Sequence, residues 1–203
     1  MEASKYLKDI QDIKEMMSKS TQFISLSGLS GILAGIYALV GAAYVNYLIN
    51  SHYGRYITLE SKTFKLILLT AFIVLVLSLG TAYLLTAKKA KKAGEKIWNP
   101  TSRRVLINFL IPLVTGGIFA LLLLKNKHYG LIAPVTLLFY GLACLNASKY
   151  TLRDVRYLGI TQIILGLIAV EFSGYGLYFW VIGFGLCHIL YGSMMYYKYD
   201  RNI

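Results

Sequence analysis

From Gln22 to Gly54 the chain carries no Asp, Glu, Lys or Arg, and the apolar run from Phe23 to Leu48 is 26 residues long. A soluble helix of that length needs a polar face for water, and this run has none. It suits a hydrocarbon layer about 30 Å thick, which a helix crosses with about 20 apolar residues. Inside hydrocarbon every backbone N–H and C=O must be satisfied within the segment, so the run is helical. It is also far longer than the apolar core of a cleavable leader, which spans about 7 to 15 residues.

Five further runs repeat the pattern. The expected spans are 23–48, 64–87, 105–124, 129–147, 155–170 and 175–197, with Pro112 set to bend the third and Pro134 in the first turns of the fourth. Composition agrees: 57% of residues are hydrophobic and 15% charged, where soluble domains carry about 25% charged residues. The chain reads as an all-α polytopic membrane protein with a six-helix domain over 23–197 and a short tail over 198–203. Residues 1–22 place Tyr6, Leu7, Ile10, Ile13 and Met17 at helical spacing among lysines and acids. That is an amphipathic helix, suited either to the headgroup layer or to a cytoplasmic protein partner.

The formal net charge is +12. A basic chain invites a nucleic-acid reading, but here the cations lie between the apolar runs, where the positive-inside rule accounts for them. The N-terminal segment, the loop 88–104, the loop 148–156 and the tail hold 16 Lys and Arg, against 5 in the alternate segments. Both termini are therefore expected in the cytoplasm. Lys88, Lys89, Lys91 and Lys92 form a cluster expected to contact anionic lipid headgroups, and no nucleic-acid partner is expected.

The spans pair as three hairpins. Odd spans share Gly35-Ile-Tyr-Ala-Leu, Gly117-Ile-Phe-Ala-Leu and Gly166-Leu-Ile-Ala-Val; even spans share Leu79-Gly80-Thr81, Tyr140-Gly141-Leu142 and Phe184-Gly185-Leu186. These matches fit either parallel pseudo-threefold repeats or the chance agreement that Gly, Ala and Leu produce in any membrane helix. Ser27, Gly31 and Gly35 stand at four-residue steps, with Gly28 beside them, and let another helix approach closely, from this chain or from a second copy in a homo-oligomer. Three glycine-rich hairpins with Gly-x-x-Ala in the odd spans resemble the small HdeD-like and other six-span proteins of the bacterial inner membrane. The resemblance implies that location and a stress-related role, and it carries over no catalytic residue.

No catalytic motif, metal-ligand spacing or cofactor fingerprint occurs, so neither enzyme activity, nor a metal, nor a cofactor is expected. Cys144 and Cys187 stand inside apolar runs and read as small core residues. The polar residues within spans carry more information, because such groups turn toward the bundle interior. His188 has Gly185 and Gly192 at minus three and plus four, and Gln162 has Gly159 and Gly166 at the same offsets. Both therefore face a close neighbour, at similar depth on antiparallel helices. With Asn108, Asn146 and Tyr191 they form a candidate polar cluster in the inner half. Asn46, Asn50 and Glu171 mark an outer polar step, Glu171 lying half a turn out of phase with Gln162.

Two functional classes stay open. One is a non-enzymatic membrane protein that senses, scaffolds or serves a stress response, with the polar groups as interhelical glue. The other is a small-solute or ion pathway lined by the inner cluster, with His188 handling protons.

Overall fold

The computed structural model describes residues 22–51, 61–94 and 96–201. The amphipathic helix expected over residues 1–22 lies outside the described residues save for Gln22. The long elements are α1 (Gly28–Ser51), α2 (Lys62–Lys92), α3 (Pro100–Lys125), α4 (Ile132–Ala147), α5 (Asp154–Glu171) and the helical run α6 (Gly176–Asp200). Among the described residues the only extended pairing is one parallel bridge between Phe23 and Thr151.

Local chemistry sets several helix ends. Ser61 caps α2 by accepting from the Phe64 N–H at 3.1 Å, and lysines fill the last turn, where the helix dipole favours cations. Asn99 and Ser102 form a reciprocal capping box ahead of α3, with Pro100 at its first position. Pro112 stands inside α3, which continues through it. A short 3₁₀ turn, Tyr129–Leu131, leads into α4. The last run changes pitch, with π-helical turns over Val181–Cys187 and Tyr196–Asp200 around α-helical His188–Met195.

Five segments are long and apolar enough to cross a membrane: α1, α2, α3, Tyr129–Ala147 and α6. This is consistent with a membrane protein. The expected sixth, α5, is 18 residues long and carries Asp154, Arg156 and Glu171, and those charges keep it out of the group.

Packing follows the glycines. α1 pairs with α2 and α3 with α4, as the hairpin reading expects, but α5 packs chiefly on α4 and α6 chiefly on α1. The closing pair therefore departs from the first two, and the packing shows no threefold relation. On the α1–α6 seam a Cβ added to Gly28 would lie 2.7 Å from the Gly192 carbonyl oxygen, and one on Gly35 would lie 2.7 Å from that of Gly185. On the α4–α5 seam Gly141 and Gly159 press on each other's carbonyls in the same way. Backbones meet along both seams at these glycines, and a Cβ at any of them would meet a carbonyl of the facing helix.

The outer members are different. α1 and α4 each bury seven residues, whereas α2 buries only Thr63 and Ala90. Phe72, Tyr83 and Leu84 of α2, like Ile111 and Leu121 of α3, are exposed. In hydrocarbon such faces carry no penalty, since lipid tails are as apolar as leucine.

One end of the bundle collects the basic segments. The stretch before α1 runs beside the α4–α5 connection, where the Phe23 N–H donates to the Tyr150 carbonyl at 2.8 Å and the Thr151 hydroxyl to the Phe23 carbonyl at 2.7 Å. Phe23, Ser25 and Ser27 are buried while Ile24 is exposed, the alternation of an extended strand. The ends of α2 and α6 arrive at the same place.

Candidate functional site

The buried polar centre lies where α4, α5 and α6 meet. Gln162 is fully buried, and its Nε2 donates to the Gly183 carbonyl at 2.7 Å. His188 Nδ1 lies 3.1 Å from the same oxygen, and its Nε2 lies 2.7 Å from the Tyr140 hydroxyl. A carbonyl only accepts, so Nδ1 carries the hydrogen; a neutral ring then offers a lone pair at Nε2, and Tyr140 donates to it. The π-helical turn places the Gly183 carbonyl where both side chains reach it.

Aromatic rings and a small residue fix this geometry. The His188 ring stacks on Phe184 at 5.8 Å and tilts against Tyr140 at 5.2 Å between centroids. Phe109 meets Tyr140 edge-on from α3, and Cys144 packs beside Tyr140 on α4. A Cβ at position 183 would lie 2.6 Å from Gln162 Oε1, so only glycine admits the amide. That Oε1 is buried without a hydrogen-bond partner.

The five residues expected to cluster inside the bundle make three sets of hydrogen bonds. Gln162 and His188 converge on Gly183. Asn146 donates to the Asn108 carbonyl at 3.3 Å and ties α4 to α3, while the Asn108 amide turns back to Arg104. The Tyr191 hydroxyl meets Thr161 at 3.1 Å and ties α6 to α5. Asn46 and Asn50 are exposed near the end of α1, and Glu171 is exposed at the end of α5. The small face of α1 meets α6 of its own chain: Gly31 approaches the Gly192 Cα, and the Ser27 hydroxyl reaches Asp200.

A second polar site occupies the basic end. Lys89 turns inward and pairs with Asp200 at 2.6 Å, their side chains 9% and 10% exposed. Its ammonium also donates to the Leu26 carbonyl at 3.0 Å. The other carboxylate oxygen of Asp200 accepts the Gly28 N–H at 2.9 Å and the Ser27 hydroxyl at 3.3 Å. An acid from the end of α6 thus caps the start of α1, where the helix dipole favours negative charge, and holds the end of α2. A more exposed pair, Lys198 to Asp154 at 3.1 Å, joins α6 to the start of α5. Lys88, Lys91 and Lys92 are exposed.

Sequence reasoning passed over Tyr140, Gly183 and Asp200. Tyr140 stood only inside a repeat triplet, and a glycine carbonyl leaves no trace in the letters. Asp200 had a usable signal: the chain has nine acids, and Asp154 and Asp200 fall in segments otherwise basic. Among the described residues no group of three His, Cys, Asp or Glu could hold a metal ion. No family model, curated protein or solved structure matches the chain.

Proposed function

We propose that this is a six-span, non-enzymatic protein of the bacterial inner membrane, with both termini cytoplasmic, serving a sensing, scaffolding or stress-related role. The observation that carries the membrane reading is the charge asymmetry along the chain, 16 Lys and Arg against 5. The contacts support it, because Phe23, Lys89, Thr151, Asp154 and Asp200 meet at one end of the bundle. Counting α5 as a span rests on its length: 18 residues rise about 27 Å, near the thickness of the hydrocarbon layer, with its charges at the two ends. Residues 1–22 supply a surface for a cytoplasmic partner or for the headgroup layer. The exposed lysines of α2 contact anionic headgroups.

Single cysteines at Lys96, Lys127, Lys149 and Gly174, in a chain with Cys144 and Cys187 replaced by alanine, tested with an impermeant thiol reagent, check the topology. Lys127 and Gly174 are expected to label from outside, and Lys96 and Lys149 only after lysis. Lys149 and Gly174 labelling alike would remove α5 from the spans, and Lys96 and Lys127 labelling alike would overturn the whole arrangement.

A small-solute or ion pathway is the second reading. One observation favours it: a buried amide oxygen on Gln162 without a partner, in a place where polar groups are costly and often functional.

A further inference from the structure

α2 and α3 are consecutive helices joined by residues 93–99, yet each packs on a different neighbour, α2 on α1 and α3 on α4. Around their connection stand Lys88, Lys91, Lys92, Lys96, Arg103 and Arg104, all exposed. Lys88, Lys91 and Lys92 share one helix face, since positions three and four apart lie together. Lys89 is withdrawn from that face by Asp200. The ion pairs among the described residues are Lys89–Asp200 and Lys198–Asp154, and neither involves these six cations.

Two further features select the partner. Trp98, in the connection, is 67% exposed, and indole rings settle at the boundary between headgroups and hydrocarbon. Tyr83 and Leu84 on α2 and Ile107 and Ile111 on α3 are exposed apolar side chains farther along the same helices. On each helix the cations adjoin the exposed apolar flank, and the indole stands in the connection between the two sets of cations, so groups for a phosphate and for acyl chains lie next to one another.

We infer that the α2–α3 connection and the helix ends it joins form a seat for an anionic phospholipid. Arg103 and Arg104 bring planar guanidinium groups that can bond a phosphodiester through two N–H donors each, and the lysines add charge. The inference rests on the reading that this end lies in the headgroup layer, and it goes beyond the lysine cluster by bringing in Trp98 and the α3 arginines.

The test uses the full chain purified in a neutral detergent with phosphatidylcholine, titrated with phosphatidylglycerol while bound lipid is counted by native mass spectrometry. Each cation near an anionic headgroup contributes about five-fold in affinity, so Lys92→Gln, Arg103→Gln and Arg104→Gln together are expected to weaken phosphatidylglycerol retention by on the order of 100-fold. Lys125→Gln with Lys127→Gln, at the opposite end, is expected to leave it unchanged. Undiminished retention in the triple variant, or an equal loss in the Lys125 and Lys127 control, overturns the seat. Displacement of the lipid by millimolar inorganic phosphate would assign the cations to a free anion instead and also overturns it. If the triple variant does not fold, Arg104→Gln alone decides, an unchanged affinity counting against the seat. The measurement needs no membrane orientation, so a failed topology and a failed lipid seat are told apart.

Discussion

The two polar sites solve the same problem with opposite chemistry. In the centre, Gln162, His188, Tyr140 and Gly183 join three helices through uncharged donors and acceptors. At the basic end, Lys89, Asp200, Ser27 and Gly28 join three helices through a full ion pair. A charge deep in hydrocarbon is expensive, whereas a neutral hydrogen bond there costs little to desolvate. At the end of the bundle the ion pair gains a helix N-terminus as a second partner for the acid. Depth in the bundle thus matches the kind of polar contact each site uses.

The largest test of this contrast falls on the ionic site. Asp200→Ala leaves the Lys89 ammonium buried without a counter-ion, and removal of one partner from such a pair costs about 3 to 5 kcal/mol. Thermal unfolding in detergent should show that loss, and Lys89→Met combined with Asp200→Ala should recover much of it. A double variant no more stable than the single one would show that the cap on Gly28, and not the charge pair, holds the helices.

Steric change on the seam between the sites comes next. A Cβ on Gly35 meets the Gly185 carbonyl and the Ile189 backbone nitrogen, so Gly35→Ala should cost about 1 to 3 kcal/mol through forced separation of α1 and α6. Gly117 has nothing within 4 Å of an added Cβ, and Gly117→Ala should be neutral or stabilise by about 0.5 to 1 kcal/mol. Equal effects at the two positions would refute the seam.

The smallest effect belongs to the neutral site. Tyr140→Phe removes the donor to His188, and interhelical hydrogen bonds in membranes contribute about 0.6 to 2 kcal/mol. His188→Ala should lose a comparable amount in detergent, with pH-dependent ion flux into liposomes unchanged. Altered flux with unaltered stability would move His188 from a lock to a pathway.

Much of the molecule is legible in the letters. Gln162 and His188 stand out by their glycine offsets, because helical periodicity places residues three and four apart on one face. Their shared acceptor is not legible, since it is a backbone carbonyl set by a π-turn. Lys89 is the sharper case. It sits among four lysines of equal appearance, and what separates it from Lys88 is the direction of its side chain relative to an acid 111 residues away. The closer packing of α5 on α4 and of α6 on α1 is hidden for a related reason: nearness in sequence does not decide which glycine face fits which.

The sequence by itself determined that the apolar runs become helices, that those helices are fit to cross hydrocarbon, and that one set of connections is basic. Each of these follows from the composition of a single segment, since hydrophobicity and charge act on a helix taken alone. The tertiary structure decided which helices pair, which lysine turns inward, and which polar groups meet. Lipid tails compete equally for any apolar face, so close backbone fit and satisfied polar groups select the partners. That fit exists only once two helices are set against each other.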